Sequence, residues 1–207
     1  MFFDIKQTQK GLFSADFSIV ENEQIVGQMH LEGKMGSMEG QWQGAAFGKK
    51  FCMSYGKGNI QTGCKNVFRP YNIAFEEGIK GCVYQTEQKE GWFSKMEFHQ
   101  LILDTMKYNM YPIGFGKEGS KNPIYIGDEQ IALVEKESVV YDDLHRYRVS
   151  AIDENAAKVA LVFVCYMYTN AGYKPGVKVV QSVSKTVSTT TNKKLKQKYD
   201  PTFVQRI

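Results

Sequence analysis

Through the first 150 positions apolar residues come in short runs that alternate with polar ones, close to the two-residue period of strands with one buried face. Residues 16–20, the polar step Glu21, Asn22 and Glu23, and residues 24–31 predict a hairpin. The same plan returns at residues 124–126, Gly127 and Asp128, and residues 129–134. A looser copy spans residues 71–75, Glu76, Glu77 and Gly78, and residues 79–84. Helical periodicity is almost absent from this region. The pattern predicts a meander of antiparallel strands with a degree of internal repetition.

Residues 33–63 are rich in glycine and small residues around Trp42 and a strand-like stretch at residues 47–55. Such spacing suits the tight turns and bulges of barrel corners; its other reading is a ligand-binding loop.

The periodicity changes after Asp153, Glu154 and Asn155. Residues 156–168 are apolar on every side from Val159 onward, and Asp153 or Asn155 can cap the free N–H groups of a helix that Gly172 can end. A helix without a polar face has to be enclosed. Thirteen residues at 1.5 Å rise span about 20 Å, short of the roughly 30 Å hydrocarbon core, so protein rather than lipid is the expected enclosure. The β-branched content also fits a buried strand, and periodicity alone does not separate the two for a continuous apolar run. Beyond Pro175 and Gly176, residues 177–183 read as a last strand, residues 184–191 as a Ser/Thr-rich connection, and residues 192–198 as a short basic helix or a solvated arm.

A strand-rich chain with a late, enclosed hydrophobic helix predicts a mainly β fold. The expected architecture is a closed or nearly closed antiparallel barrel round one C-terminal helix at about residues 155–170. The stretch 141–153, Tyr-Asp-Asp-Leu-His-Arg-Tyr-Arg-Val-Ser-Ala-Ile-Asp, runs directly into that helix. Together with the hairpin at residues 124–136 it resembles the tubby C-terminal-like and LURP-one-related superfamily, to which phospholipid scramblases are also similar. The resemblance implies about twelve antiparallel strands round a central hydrophobic helix. It covers residues 1–180, within a single domain at 1–183 followed by a C-terminal segment at 184–207. The phosphoinositide-contacting residues of tubby proteins and the palmitoylated cysteine cluster of scramblases have no counterparts here, so the fold transfers more readily than the function.

Composition narrows the classes. Of 207 residues, 43% are hydrophobic and 23% charged, enough apolar material for one sizeable core and too much for a disordered chain. The first residues lack the basic and apolar regions of a secretory signal, and Cys52, Cys64, Cys82 and Cys165 form no CxxC pair. A cytoplasmic protein with reduced, buried cysteines is expected. The net charge of +4 is unevenly placed: from Lys174 to Ile207 there are eight Lys or Arg against the single Asp200.

Candidate chemistry is sparse. Residues 114–119 spell GxGxxG, but they precede a predicted strand, whereas a dinucleotide fingerprint needs a helix to receive the pyrophosphate. A glycine turn is the better reading and no cofactor is expected. His30, His99 and His145 stand singly, without Cys or His at metal-ligand spacing, and His30 and His99, on strand-like segments, read as partly buried histidines. No GxSxG elbow is present, and the carboxylate pairs Glu21 and Glu23, Glu76 and Glu77, and Asp142 and Asp143 fall in predicted turns. No catalytic residue is assigned.

Lys193, Lys194, Lys196 and Lys198, with Leu195 and Tyr199 among them, are the feature with a pull on a partner. Each Lys near an anionic leaflet contributes about 1 kcal/mol. Nucleic acid is disfavoured because the stacking aromatics of nucleic-acid platforms are missing. The sequence therefore points to a non-enzymatic domain docking on anionic phospholipid from the cytoplasm through this segment. A protein-interaction module using an exposed strand edge, or an enzyme with a pocket at a barrel mouth, are the other readings.

Overall fold

The computed structural model describes residues 1–34, 39–56, 67–89, 95–177 and 181–207. Its N-terminal half is an up-and-down meander of β1 (Phe2–Lys10), β2 (Ser14–Glu21), β3 (Gln24–Gly33), β4 (Gly40–Ala46), β5 (Lys49–Tyr55), β6 (Phe68–Phe75), β7 (Lys80–Lys89), β8 (Lys95–Leu103) and β9 (Met106–Met110). There follow β10 (Ile113–Gly116), β11 (Ser120–Ile126), β12 (Glu129–Lys136), β13 (Val139–Tyr141) and β14 (Arg146–Ala151). β14 pairs with both β12 and β1, and β11 with both β9 and β12, closing an antiparallel barrel of twelve strands. β10 and β13 lie outside the ring. Closure matters energetically, because a closed barrel leaves no unpaired sheet edge.

The three hairpins form as the alternation predicts. Glu21 pairs with Gln24 across Asn22 and Glu23, Ile126 pairs with Glu129, and Ala74 pairs with Lys80. In the glycine-rich stretch, β4 and β5 meet at a two-residue turn, Phe47 and Gly48, both at positive φ, so the strand begins at Lys49 rather than at residue 47. Trp42 on β4 is fully buried, which places this part of the stretch in the barrel wall. Residues 35–38 and 57–63 of the same stretch lie outside the described residues.

The segment after Asp153 is a helix, α1 (Glu154–Met167), which continues as a wider π-helical turn, Tyr168–Gly172. Asp153 is the cap: its Oδ1 accepts the Ala156 N–H at 2.8 Å. The helix threads the barrel. Residues 156, 157 and 159–166 are all at most 3% exposed, and they share one core with Phe3 and Ile5 of β1, Phe17 of β2, Leu31 of β3, Trp42 of β4, Ile73 of β6 and Leu101 of β8. A strand could not occupy this place: its backbone groups would need partners that only a surrounding sheet supplies, whereas a helix satisfies its own. At the entry end Lys158 lies between Glu154, 3.2 Å away, and Glu77 of the β6–β7 turn, 3.7 Å away. At the far end the Tyr166 hydroxyl donates to backbone carbonyls at Phe68 and Arg69.

The C-terminal segment packs on the barrel. β15 (Val183–Lys185) pairs with β13, and β16 (Ser188–Thr189) with β10. Of the expected strand at 177–183, residues 178–180 lie outside the described set, 177, 181 and 182 are not in a strand, and Val183 begins β15. α2 (Lys193–Lys196) is capped by Asn192, whose side chain accepts the Leu195 N–H. Leu195 is buried in a second, smaller core with Met96, Tyr111 and Ile113, flanked by Phe115 and Tyr199. Among the described helices none is long and apolar enough to cross a membrane. Cys82 and Cys165 are buried; Cys52 is exposed on β5, a correction to the expectation of burial, because outward positions alternate with Phe51 and Met53. Cys64 lies outside the described residues.

Candidate functional site

Where the central helix ends, the barrel wall continues past it and the C-terminal segment crosses the opening. Between them lies a cavity of about 590 Å³. Its floor is the end of the helix, with Met167, Asn170 and Ala171; β11, β12 and β14 supply Ser120, Asn122, Lys136 and Tyr147; β7 and β8 supply Gln85, Glu97 and His99. The remaining wall is β10 with Ser188, Thr190, Asn192 and Leu195 of the C-terminal segment. Thr190 is held there, its hydroxyl accepting the Gly114 N–H at 2.9 Å and its own N–H donating to the Gly114 carbonyl.

The strand alternation that buries Ala132 and Val134 carries Lys136 to the same inner face, one step nearer the mouth. Lys136 is half-buried, and burial lowers its ammonium below the ordinary lysine value. No carboxylate is within ion-pair distance of it among the described residues; the Tyr147 ring faces it at 5.8 Å. His145 is close enough to feel that charge: burial first and Lys136 second push its imidazole down to about 3. Its ring stacks on Tyr147 and meets Tyr168 edge-on.

His99 lies edge-on to Tyr166 with ring centroids 5.1 Å apart, and burial lowers it to about 4, so both histidines are neutral at physiological pH. The Nδ1 atoms of His99 and His145 are buried without a hydrogen-bond partner. Asn122, 1% exposed, donates to the Val134 carbonyl at 2.8 Å and to the Ser120 hydroxyl. At the outer rim Glu97 accepts from Gln85, and Lys95 pairs with Glu87 at 2.7 Å.

Among the described residues no Ser, Thr or Cys pairs with His99, and no three His, Cys, Asp or Glu side chains converge on a metal position. His30 is exposed on β3 and contacts Asp16 at 2.7 Å, far from the mouth.

The GxGxxG stretch is a turn joining β10 to β11. Gly119 has φ +89, and a Cβ there would sit 2.1 Å from the Lys136 carbonyl oxygen, so the glycine allows two segments to touch rather than cradling a phosphate. The carboxylate pairs sit at turns: Glu77 binds Lys49 at 2.9 Å, and Asp143 binds Lys10 at 2.9 Å.

Lys193, Lys194 and Lys196 are exposed on α2, while Lys198 turns back over the Tyr111 and Tyr125 rings at 5.2 and 5.5 Å. The four lysines are therefore not one patch. Lys136 and Asn122, which the sequence reading passed over, carry a legible signal, since each is a polar residue at an inward position of an otherwise apolar alternation. His99 carries none, because a lone histidine in a strand does not announce what it faces.

Fold and site together define a closed antiparallel barrel threaded by a helix, with a cavity of mixed apolar and polar lining at the helix's C-terminal end. No family model matches the chain, and neither curated proteins nor solved structures offer a significant match.

Proposed function

We propose that this chain is a non-enzymatic binding domain that docks peripherally on anionic phospholipid surfaces through its basic C-terminal segment. The observation that carries this reading is the presentation of Lys193, Lys194 and Lys196 on a helical turn anchored by buried Leu195. An anchored turn holds its charges at a surface without the ordering cost that a loose arm has to meet on binding. The exposed Val183 and Val187 lie on the same segment and offer apolar contact at a headgroup boundary. Kinship with the tubby C-terminal-like and LURP-one-related superfamily belongs to this proposal, supported by the threaded twelve-strand barrel. So does a place at the cytoplasmic face of a membrane, the leaflet rich in anionic lipid.

Co-sedimentation with phosphatidylserine-containing and purely phosphatidylcholine vesicles at low and high salt tests it. The whole chain should bind the anionic vesicles alone, release them at high salt, and lose binding in the triple variant Lys193→Gln, Lys194→Gln, Lys196→Gln. Binding indifferent to lipid charge and salt, or unchanged in the triple variant, rejects the reading.

A second reading rests on β15, whose three residues are all exposed and which is paired only with β13 among the described residues, leaving an edge for a protein strand. Val183→Pro should then abolish capture of a partner from extract while leaving vesicle binding intact.

A further inference from the structure

We propose that the mouth cavity is a binding site for a small amphiphilic organic anion, its carboxylate, sulfonate or phosphate monoester seated at Lys136 and its apolar body against Ile113, Met167 and Leu195. This is a separate site from the exposed lysines of α2 and does not depend on lipid docking.

The argument starts from Lys136. A half-buried ammonium without a carboxylate partner is costly, and the Tyr147 ring offsets only part of that cost. Evolution of a stable fold alone favours an apolar residue or a paired charge at such a position, as at Lys10, whose side chain is 3% exposed and bonded to Asp143. His99 repeats the pattern across the cavity: a partly buried imidazole whose Nδ1 is itself out of solvent and without a hydrogen-bond partner. Both groups lack what a ligand would bring.

The charge around the cavity selects the sign. Arg69 and Lys136 line it against Glu97, which is exposed at the rim where Gln85 donates to it, while the rim Lys95 is already paired with Glu87. The volume selects the size. At about 590 Å³ it falls within the range of small-molecule sites, and a bare inorganic ion would leave most of it, including the apolar face of Ile113 and Met167, unfilled. The helix sets the depth. Because α1 fills the barrel with side chains that are almost all out of solvent, a long acyl chain has no channel to enter, and the ligand is confined to the mouth.

Decanoate, 8-anilinonaphthalene-1-sulfonate and the neutral decanol, titrated into the whole chain in vesicle-free buffer below their aggregation limits, test the assignment by calorimetry. Methyl NMR of Ile113 and Leu195 locates the site. Both anions should bind saturably at one shared site, shift those methyls, and bind more tightly than decanol. Lys136→Gln should weaken the anions at least about tenfold and leave decanol unchanged. Ala171→Trp, at an exposed position on the helix end, should block all three by filling the space. Failure of both anions to saturate, equal affinity for decanol, or indifference to Lys136→Gln in a variant with a native spectrum overturns the proposal. The α2 triple variant should bind decanoate normally, so failure of membrane docking and failure of this site are told apart.

Discussion

The indole N–H of Trp42 on β4 donates a 2.8 Å hydrogen bond to the hydroxyl of Thr169, and that hydroxyl donates in turn to the Cys165 carbonyl at 2.8 Å. The bond joins the barrel wall to the helix inside it at a place from which water is excluded, Trp42 being fully buried and Thr169 2% exposed. It also sits where the helix widens, and the Cys165 carbonyl accepts the Thr169 hydroxyl in addition to the Tyr168 N–H. Around it Phe17 and Tyr168 pack edge-on, with centroids 4.9 Å apart.

Thr169→Val keeps the shape and removes the acceptor, leaving a buried indole N–H without a partner. The expected loss is about 1–3 kcal/mol, seen as a lower urea midpoint at unchanged slope. Adding Trp42→Phe, which removes the orphaned donor, should cost less than the sum of the two single changes. Strictly additive losses would show that the bond contributes nothing.

Phe163 and Val162 are fully buried at the centre of the barrel. A carboxylate at either position has no partner and no route to water, a cost of several kcal/mol set against a total stability of about 5–15 kcal/mol. Val162→Asp or Phe163→Asp should prevent folding, and Phe163→Ala should cost about 3–5 kcal/mol. A soluble, cooperatively melting Asp variant would show that the helix is not enclosed.

How much of this was legible in the sequence depends on which physical signal each part leaves. The hairpin turns at Asn22, Gly127 and Gly78 and the cap at Asp153 are local, and their residues announce them. The enclosure of the helix is legible because a segment apolar on all sides admits few alternatives. The barrel's closure through β14 pairing with β1, Phe2 against Ser150, is a contact 148 residues apart with no local mark. The docking of the C-terminal segment was hidden for a related reason: Leu195 and Tyr199 stand isolated among lysines, and their partners Tyr111, Ile113 and Phe115 lie far earlier in the chain. The cavity escaped because it is assembled from ends of elements, a place where neither periodicity nor motif spacing speaks.

The C-terminal segment should come off the barrel without unfolding it. Leu195 is the one buried side chain of α2, and full burial of a leucine contributes about 1.5–3 kcal/mol. Leu195→Gln should therefore raise hydrogen exchange and protease cleavage across residues 184–207 while the main cooperative melt moves little. Loss of decanoate binding in the same variant would follow from removal of one cavity wall. A melt lowered in proportion would mean that the segment and the barrel fold as one unit.

Acid should destabilise the protein well before its carboxylates are protonated. Burial depresses His99 to about 4 and His145 to about 3, both below the unfolded value of about 6.5. Between those limits the unfolded chain binds protons that the folded chain refuses, so unfolding is favoured as pH falls. The stability held by the neutral histidines is complete above about pH 6.5, and it declines by about 1.4 kcal/mol per pH unit for each histidine until its folded value is reached. The ion-paired Asp143 and Glu77, whose carboxyls are held below their usual range by Lys10 and Lys49, act in the same direction only at lower pH. Urea midpoints at about pH 7.5, 6 and 5 should fall steadily, and His99→Phe should roughly halve the slope. A flat profile down to about pH 5, or a slope untouched by His99→Phe, would mean that the imidazole at this mouth takes up its proton in the folded state.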